Sequence, residues 1–136
     1  MAIQSFDFAT GKVVEEKKRQ AIILIQDKKT SIDINRLLRE FSYRILGQGD
    51  NAREVLPLLA KHKNGVLILD MDIEGLDAMA IMATIKQGYP DFKVVMVTRE
   101  PTRERLQAAL LAGAASFLAT PIDRDLAYKI LTKLSR

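Results

Sequence analysis

Three oxygen-bearing side chains stand where short apolar runs end. Asp27 lies just beyond Ala21–Ile25, Asp70 closes Gly65–Leu69, and Thr98 closes Val94–Val97. Two carboxylates and a hydroxyl on one edge would form an oxygen-rich site, suited to a hard cation such as Mg²⁺, which binds through one or two carboxylates and keeps several waters. Other chemistry is scarce. The chain has no cysteine, which excludes disulfides, zinc–thiolate centres and thiol nucleophiles. Its one histidine, His62, sits between Lys61 and Lys63, where solvent exposure is expected, and leaves no His-rich metal site. The segment Gln26-Asp27-Lys28-Lys29-Thr30 contains no glycine, so a dinucleotide or Walker-type phosphate cradle is excluded. No G-x-S-x-G elbow occurs either. Met71, Met79, Met82 and Met96 read as adaptable core filler.

Bringing Asp27, Asp70 and Thr98 together requires an architecture that aligns the ends of the runs. Ala21–Ile25, Ser42–Leu46, Gly65–Leu69, Val94–Val97 and Ser116–Ala119 are strand-sized, apolar and rich in β-branched residues, as strands buried on both faces are. The second is expected to stop at Gly47. Between them, residues at helical spacing recur: Ile34, Leu37, Leu38 and Phe41; Val55, Leu56, Leu58 and Leu59; Ala78, Ile81, Met82 and Ile85; Leu106, Ala109 and Leu110; Ala127, Ile130, Leu131 and Leu134. Thr30 with Asp33, Asp50 or Asn51, Asp77, and Asp123 are candidate N-caps, and Pro57 calls for a kink or a helix start close to it. The alternation predicts an α/β fold: a doubly wound, five-stranded parallel sheet with helices on both faces. In such sheets ligands bind beyond the carboxyl ends of the strands, where the strand order reverses. That is where all three oxygen-bearing residues fall.

The chain has 136 residues, 48% of them hydrophobic and 28% charged, which suits one domain with one proper core. Lysine and arginine number 21 against 17 acids, a net charge of +4. The bases are scattered, and in the only run, Glu15-Glu16-Lys17-Lys18-Arg19, acids cancel much of the charge, so direct nucleic-acid binding is not expected. No apolar run approaches the roughly 20 residues of a membrane helix, and residues 1–10 lack the pattern of a secretory signal. The expected address is the cytoplasm. Residues 1–18 read as an N-terminal extension and 19–136 as the domain.

From Gln20 onward the chain resembles the receiver domain of two-component response regulators, in a flavodoxin-like fold. The resemblance rests on Leu67-Ile-Leu-Asp70-Met-Asp-Ile-Glu-Gly75-Leu-Asp77, on Val94-Val-Met-Val-Thr98 and on Ala112-Gly-Ala-Ala-Ser-Phe-Leu-Ala-Thr-Pro121. It implies that Asp70 accepts a phosphoryl group from a phosphohistidine, with Mg²⁺ held by Asp27, Asp70 and the backbone carbonyl of Asp72. It also implies that Thr98 bonds a phosphoryl oxygen, that Phe117 is the aromatic switch residue, and that a histidine kinase or phosphotransfer protein and an output partner stand on either side. A homodimer through the face built from the fourth helix, fifth strand and fifth helix would set Arg103, Arg105, Asp123, Arg124, Asp125 and Lys129 across a two-fold axis. The departures from the family pattern are pointed. Thr120 stands where the family has lysine, Gln26 where it has the first acid of a pair, Glu74 where many members have proline, and Arg99 at a position usually small. A threonine donates one hydrogen bond but neutralises no charge, and charge-assisted bonds are about twice as strong as neutral ones.

The reading that results is a receiver-like domain that regulates through protein–protein contacts, with Asp70 as acceptor and a weakened or lost switch. A fully working phospho-receiver is the alternative, and a small Mg²⁺-dependent phosphate-ester hydrolase a distant one, for which no general base is visible.

Overall fold

The structure is a computed structural model that describes residues 19–134 together with the backbone of residues 5–7 and 12–14. Those two short segments, β1 (Ser5–Asp7) and β2 (Lys12–Val14), pair antiparallel and form a ladder separate from the main sheet. Most of residues 1–18, including the charged run from Glu15 to Lys18, lies outside the described residues. The main sheet consists of β3 (Gln20–Leu24), β4 (Arg44–Gly49), β5 (Gly65–Asp70), β6 (Phe92–Thr98) and β7 (Ser116–Ala119). All its pairings are parallel, in the order β4-β3-β5-β6-β7. The chain steps outward from β3 to β4, then returns to the other side at β5. The order therefore reverses between β3 and β5, beside the ends that carry Asp27 and Asp70.

Alternate residues of each strand point to opposite faces, and each face has its own core. On one, Ala21, Ile23, Ile25, Val66, Ile68, Val95, Val97 and Leu118 meet α1 (Lys28–Glu40), through Ile34 and Leu38, and α5 (Arg124–Leu134), through Ala127 and Leu131. On the other, Ile22, Leu24, Leu67, Leu69, Val94 and Met96 meet Val55 and Leu59 of α2 (Val55–Ala60). Met82 and Ile85 of α3 (Ala78–Gly88) and Ala109 of α4 (Arg103–Leu111) complete that layer. The sheet is covered on both sides, as continuous apolar strands require.

Four local expectations are corrected or sharpened. Strand β4 does not stop at Gly47 but runs to Gly49, because α2 and its entry press on it. A Cβ at Gly47 would come 2.8 Å from Leu58 Cδ2, and one at Gly49 2.8 Å from Glu54 Oε2. Helix α1 starts earlier than the Thr30 cap implied: its N-cap is Asp27, whose Oδ2 accepts from the Thr30 amide at 3.0 Å and hydroxyl at 2.7 Å. Asn51 caps a short 3₁₀ turn (Ala52–Glu54) that leads into α2, so Pro57 falls in the first turn, where a missing N–H is harmless. On α4 only Ala109 is buried, while Leu110 is 71% exposed, so the apolar spacing there does not describe a core face.

Candidate functional site

At the carboxyl edge of the sheet lies an open cleft of about 480 Å³, and its lining includes Gln26, Asp27, Asp70, Asp72, Thr98 and Thr120. Five of the six residues singled out in the sequence therefore share one cavity. The exception is Phe117, half-buried in β7 and packed against the core that includes Leu69, Met96 and Ala109.

Asp70 is the last residue of β5 and is buried, which is unusual for an acid at a sheet edge. Two backbone amides hold it: Gln26 N–H donates to Oδ2 at 3.1 Å and Asp72 N–H to Oδ1 at 2.8 Å. Burial pushes its carboxyl above the ordinary value of 3.8, against the pull of those two amides, and the neighbouring Asp72 charge adds to the rise. The loop beyond it turns at Gly75, whose φ of +78° is one that a side-chain-bearing residue rarely adopts. The loop is tied back across the cleft by Glu74 N–H, which donates to Gln26 Oε1 at 2.8 Å. The amide that replaces the family's first acid thus serves as an acceptor for this loop.

Asp27 stays at the surface. The Thr30 hydroxyl and amide hold its carboxyl below the ordinary range. Thr98, the last residue of β6, is 1% exposed. Its hydroxyl donates to the carboxylate of Asp72, with Oδ1 at 3.1 Å and Oδ2 at 3.2 Å, and accepts from Arg105 Nη1 at 2.9 Å and from Glu100 N–H at 3.1 Å. One proton and two lone pairs are all that a hydroxyl has, and all three are engaged.

Asp72 gathers the donors. Arg105 Nη1 lies 2.6 Å from its Oδ1 and Arg99 N–H 2.8 Å from its Oδ2, with Arg99 Nε at 3.8 Å. Burial alone would raise its pKa. The hydrogen bonds from the Arg99 amide, the Arg105 guanidinium and Thr98 outweigh that, and the carboxyl titrates below its ordinary value. Sequence reasoning gave Asp72 a role only through its backbone carbonyl, and set Arg105 on a dimer face. In the fold Arg105 is spent on Asp72, and Arg124 pairs with Glu40 at 3.0 Å. No spacing pointed to the Asp72–Arg105 contact, because the two residues are brought together only by the crossover between β5 and α4.

Among the described residues no group of three or more acidic or histidine side chains is arranged to hold a metal ion. Four carboxylates line the cleft, Asp27, Asp70, Asp72 and Glu74, but Asp27 is engaged in a helix cap and Asp72 is paired with Arg105. That donor set fits a hydrated Mg²⁺ rather than a fully protein-ligated one.

The model of the response regulator receiver domain matches residues 22–132. The chain belongs to that family. Among curated relatives, it is 32% identical over 91 residues to the transcriptional regulatory protein CitT of Bacillus subtilis, covering 66% of this chain and 40% of that one. It is 31% identical over 84 residues to the DNA-binding transcriptional regulator NtrC of Salmonella typhimurium, covering 62% and 18%. The chain therefore spans less than half the length of these relatives. Among solved structures, the signal receiver domain of a DNA-binding response regulator from Colwellia psychrerythraea superposes with a TM-score of 0.79 at 21% identity, covering 86% of this chain and 98% of that one. The receiver domain of NarL from Mycobacterium tuberculosis gives 0.79 at 21% identity, covering 88% and 97%. The expected receiver fold and signal-transduction role hold. Receiver domains typically bind Mg²⁺ at this acidic pocket, interact with histidine kinases and effector output domains, and are generally not enzymes. Among the described residues no helix is long and apolar enough to cross a membrane.

Proposed function

We propose that this receiver takes a phosphoryl group on Asp70 slowly, and passes the change to a partner protein or output domain with an attenuated switch. The observation that carries the reading is the buried Asp70 carboxylate, fixed by two backbone amides at the topological switch point, in one cleft with Thr98 and Thr120. A carboxylate oxygen of Asp70 forms the new P–O bond while the P–N bond of a phosphohistidine breaks. The bonding electron pair leaves with the imidazole, which is neutral once it holds one proton. Such a transfer depends on positioning and on charge around the phosphoryl oxygens. Mg²⁺ at Asp27 and Asp70 would supply part of that charge when bound. The fixed cation that a lysine at position 120 would add is absent. Attenuation follows from this deficit and from Thr98, whose hydroxyl has no free bonding capacity.

Incubation with phosphoramidate, a P–N donor, in Mg²⁺ tests the reading, with the acyl phosphate on Asp70 located by mass spectrometry. Slow, sub-stoichiometric labelling is expected. Rapid stoichiometric labelling with a large NMR response would show a fully working switch. Complete refusal of label would leave a protein-interaction platform that ignores phosphate.

A further inference from the structure

The reading of Asp70 as acceptor leaves unexplained why a second carboxylate, two residues on, is surrounded by donors. The Thr98 hydroxyl, the Arg99 backbone amide and the Arg105 guanidinium all converge on Asp72. A hydroxyl, a backbone N–H and a guanidinium around one anion are the donor types that hold a phosphoryl group. Asp72 lines the same cleft as Asp70, and its side chain is 11% exposed. Arg105 does not line the cleft; its guanidinium bonds the Asp72 carboxylate and the Thr98 hydroxyl of two residues that do.

We infer that Asp72 is an internal anion occupying the donor set of the phosphoryl site, and that Arg105 is the cation of that site, held in reserve on Asp72 until Asp70 is modified. This rests on the reading of Asp70 as acceptor. Thr98 cannot donate to a phosphoryl oxygen without giving up Asp72, because its only proton is committed there. Arg105 Nη1 bonds both Thr98 and Asp72, so a hydroxyl that turns toward Asp70 draws the guanidinium after it. Arg105 lies in the first turn of α4, whose N-cap is Thr102, so the same movement reaches the start of that helix. The missing lysine at 120 would then be replaced from α4 and not from the strand end.

The proposal makes two substitutions act in opposite directions on one binding equilibrium. Asp72→Asn keeps size and an acceptor oxygen but removes the competing charge, and should tighten beryllofluoride binding in Mg²⁺ about tenfold. Arg105→Gln removes the cation and should weaken it about tenfold. Adding Arg105→Gln to Asp72→Asn should erase most of the gain. A pair with only a structural role would move both variants the same way, toward weaker binding.

The measurement is an NMR titration with beryllium and fluoride, following the amides of Thr98 and of residues 103–111, with Asp70→Asn as the blank. Weakened or unchanged binding in Asp72→Asn, or unchanged binding in Arg105→Gln, overturns the inference while leaving Asp70 as acceptor. Binding by Asp72→Asn where the parent shows little supports it most strongly. If neither the parent nor Asp72→Asn binds, the acceptor reading fails and the inference falls with it. Should Asp72→Asn fold poorly, the Arg105→Gln titration against the parent still decides, since an unchanged affinity refutes the role of Arg105.

Discussion

Two carboxylates of one loop, Asp70 and Asp72, are handled in opposite ways. Asp70 is buried with only backbone amides as donors, and its ionised form is disfavoured. Asp72 is paired with Arg105, bonded by Thr98 and the Arg99 amide, and its ionised form is favoured. Among the described residues one carboxylate has no ion pair within 4 Å, and the other is paired with Arg105 at 2.6 Å. The difference teaches which group is available for reaction. A saturated carboxylate has no reason to attack anything, whereas one that is largely buried and has no directly bonded cation gains when a cation or an electrophile arrives.

The largest effect expected is on labelling. Asp70→Asn should abolish acyl phosphate formation with phosphoramidate, whereas Asp72→Asn should leave it intact or faster, read by mass spectrometry of the intact protein. If label survives Asp70→Asn, the two carboxylates have been assigned the wrong roles.

Stability should divide the pair next. Arg105→Ala strands the Asp72 charge with fewer donors and should cost about 1–2 kcal/mol, the lower part of the range for charge-assisted bonds because Arg105 is one-third exposed. Asp70→Asn removes a buried charge that has no ion pair within 4 Å among the described residues, with the Arg99 charge acting on it only from farther off. It should stabilise by on the order of 1 kcal/mol, or a few degrees in Tm for a domain of this length. Thermal melts at neutral pH that ranked the two variants the other way would contradict the contrast.

Much of this was legible in the sequence, though not the contrast itself. The five strands and the clustering of Asp27, Asp70 and Thr98 followed from apolar runs ending in polar residues, since strand period and burial are local signals. Strand β4 was cut short because Gly47 and Gly49 read as breakers; only the nearness of Leu58 and Glu54 shows that they are there to admit α2. Leu110 was placed on a core face because helical spacing records which residues share a side, not which side meets the sheet. Arg105 reads from the sequence only as one of the mixed charges of a dimer face, not as the partner of Asp72. It is 33 residues from Asp72 in the chain, and nothing in its neighbours distinguishes it from Arg103, the other basic residue of α4.

The pH dependence of stability should carry the same signature with opposite signs. For Asp70 the folded pKa is raised, so its contribution is most favourable below the ordinary carboxylate value of 3.8 and is lost as pH rises through the folded pKa. For Asp72 the folded pKa is depressed, so its contribution is present above 3.8 and is lost as pH falls through the folded value. The advantage of Asp70→Asn over the parent should therefore shrink on acidification. The deficit of Asp72→Asn should also shrink, but at lower pH. Urea unfolding at a series of pH values between neutrality and the acid limb measures both, and coincident midpoints for the two differences would remove the distinction.

The smallest effect belongs to Thr120→Lys, and it separates the two explanations for an attenuated switch. Thr120 is half-buried on the rim of the cleft, and its backbone N–H donates to Thr98 O at 3.0 Å, a bond that a change of side chain leaves in place. A lysine there brings an ammonium toward Asp70. It should lower that residue's raised pKa and strengthen beryllofluoride binding several-fold. The change in stability should stay under about 1 kcal/mol, because a long side chain gives up rotamer freedom to hold one position and is partly screened. The gain in binding should fall short of that from Asp72→Asn, since an added ammonium leaves the Thr98 proton on Asp72. A larger gain from Thr120→Lys would mean that the missing charge at position 120, and not the hold of Asp72 on its donors, sets the weakness of the switch.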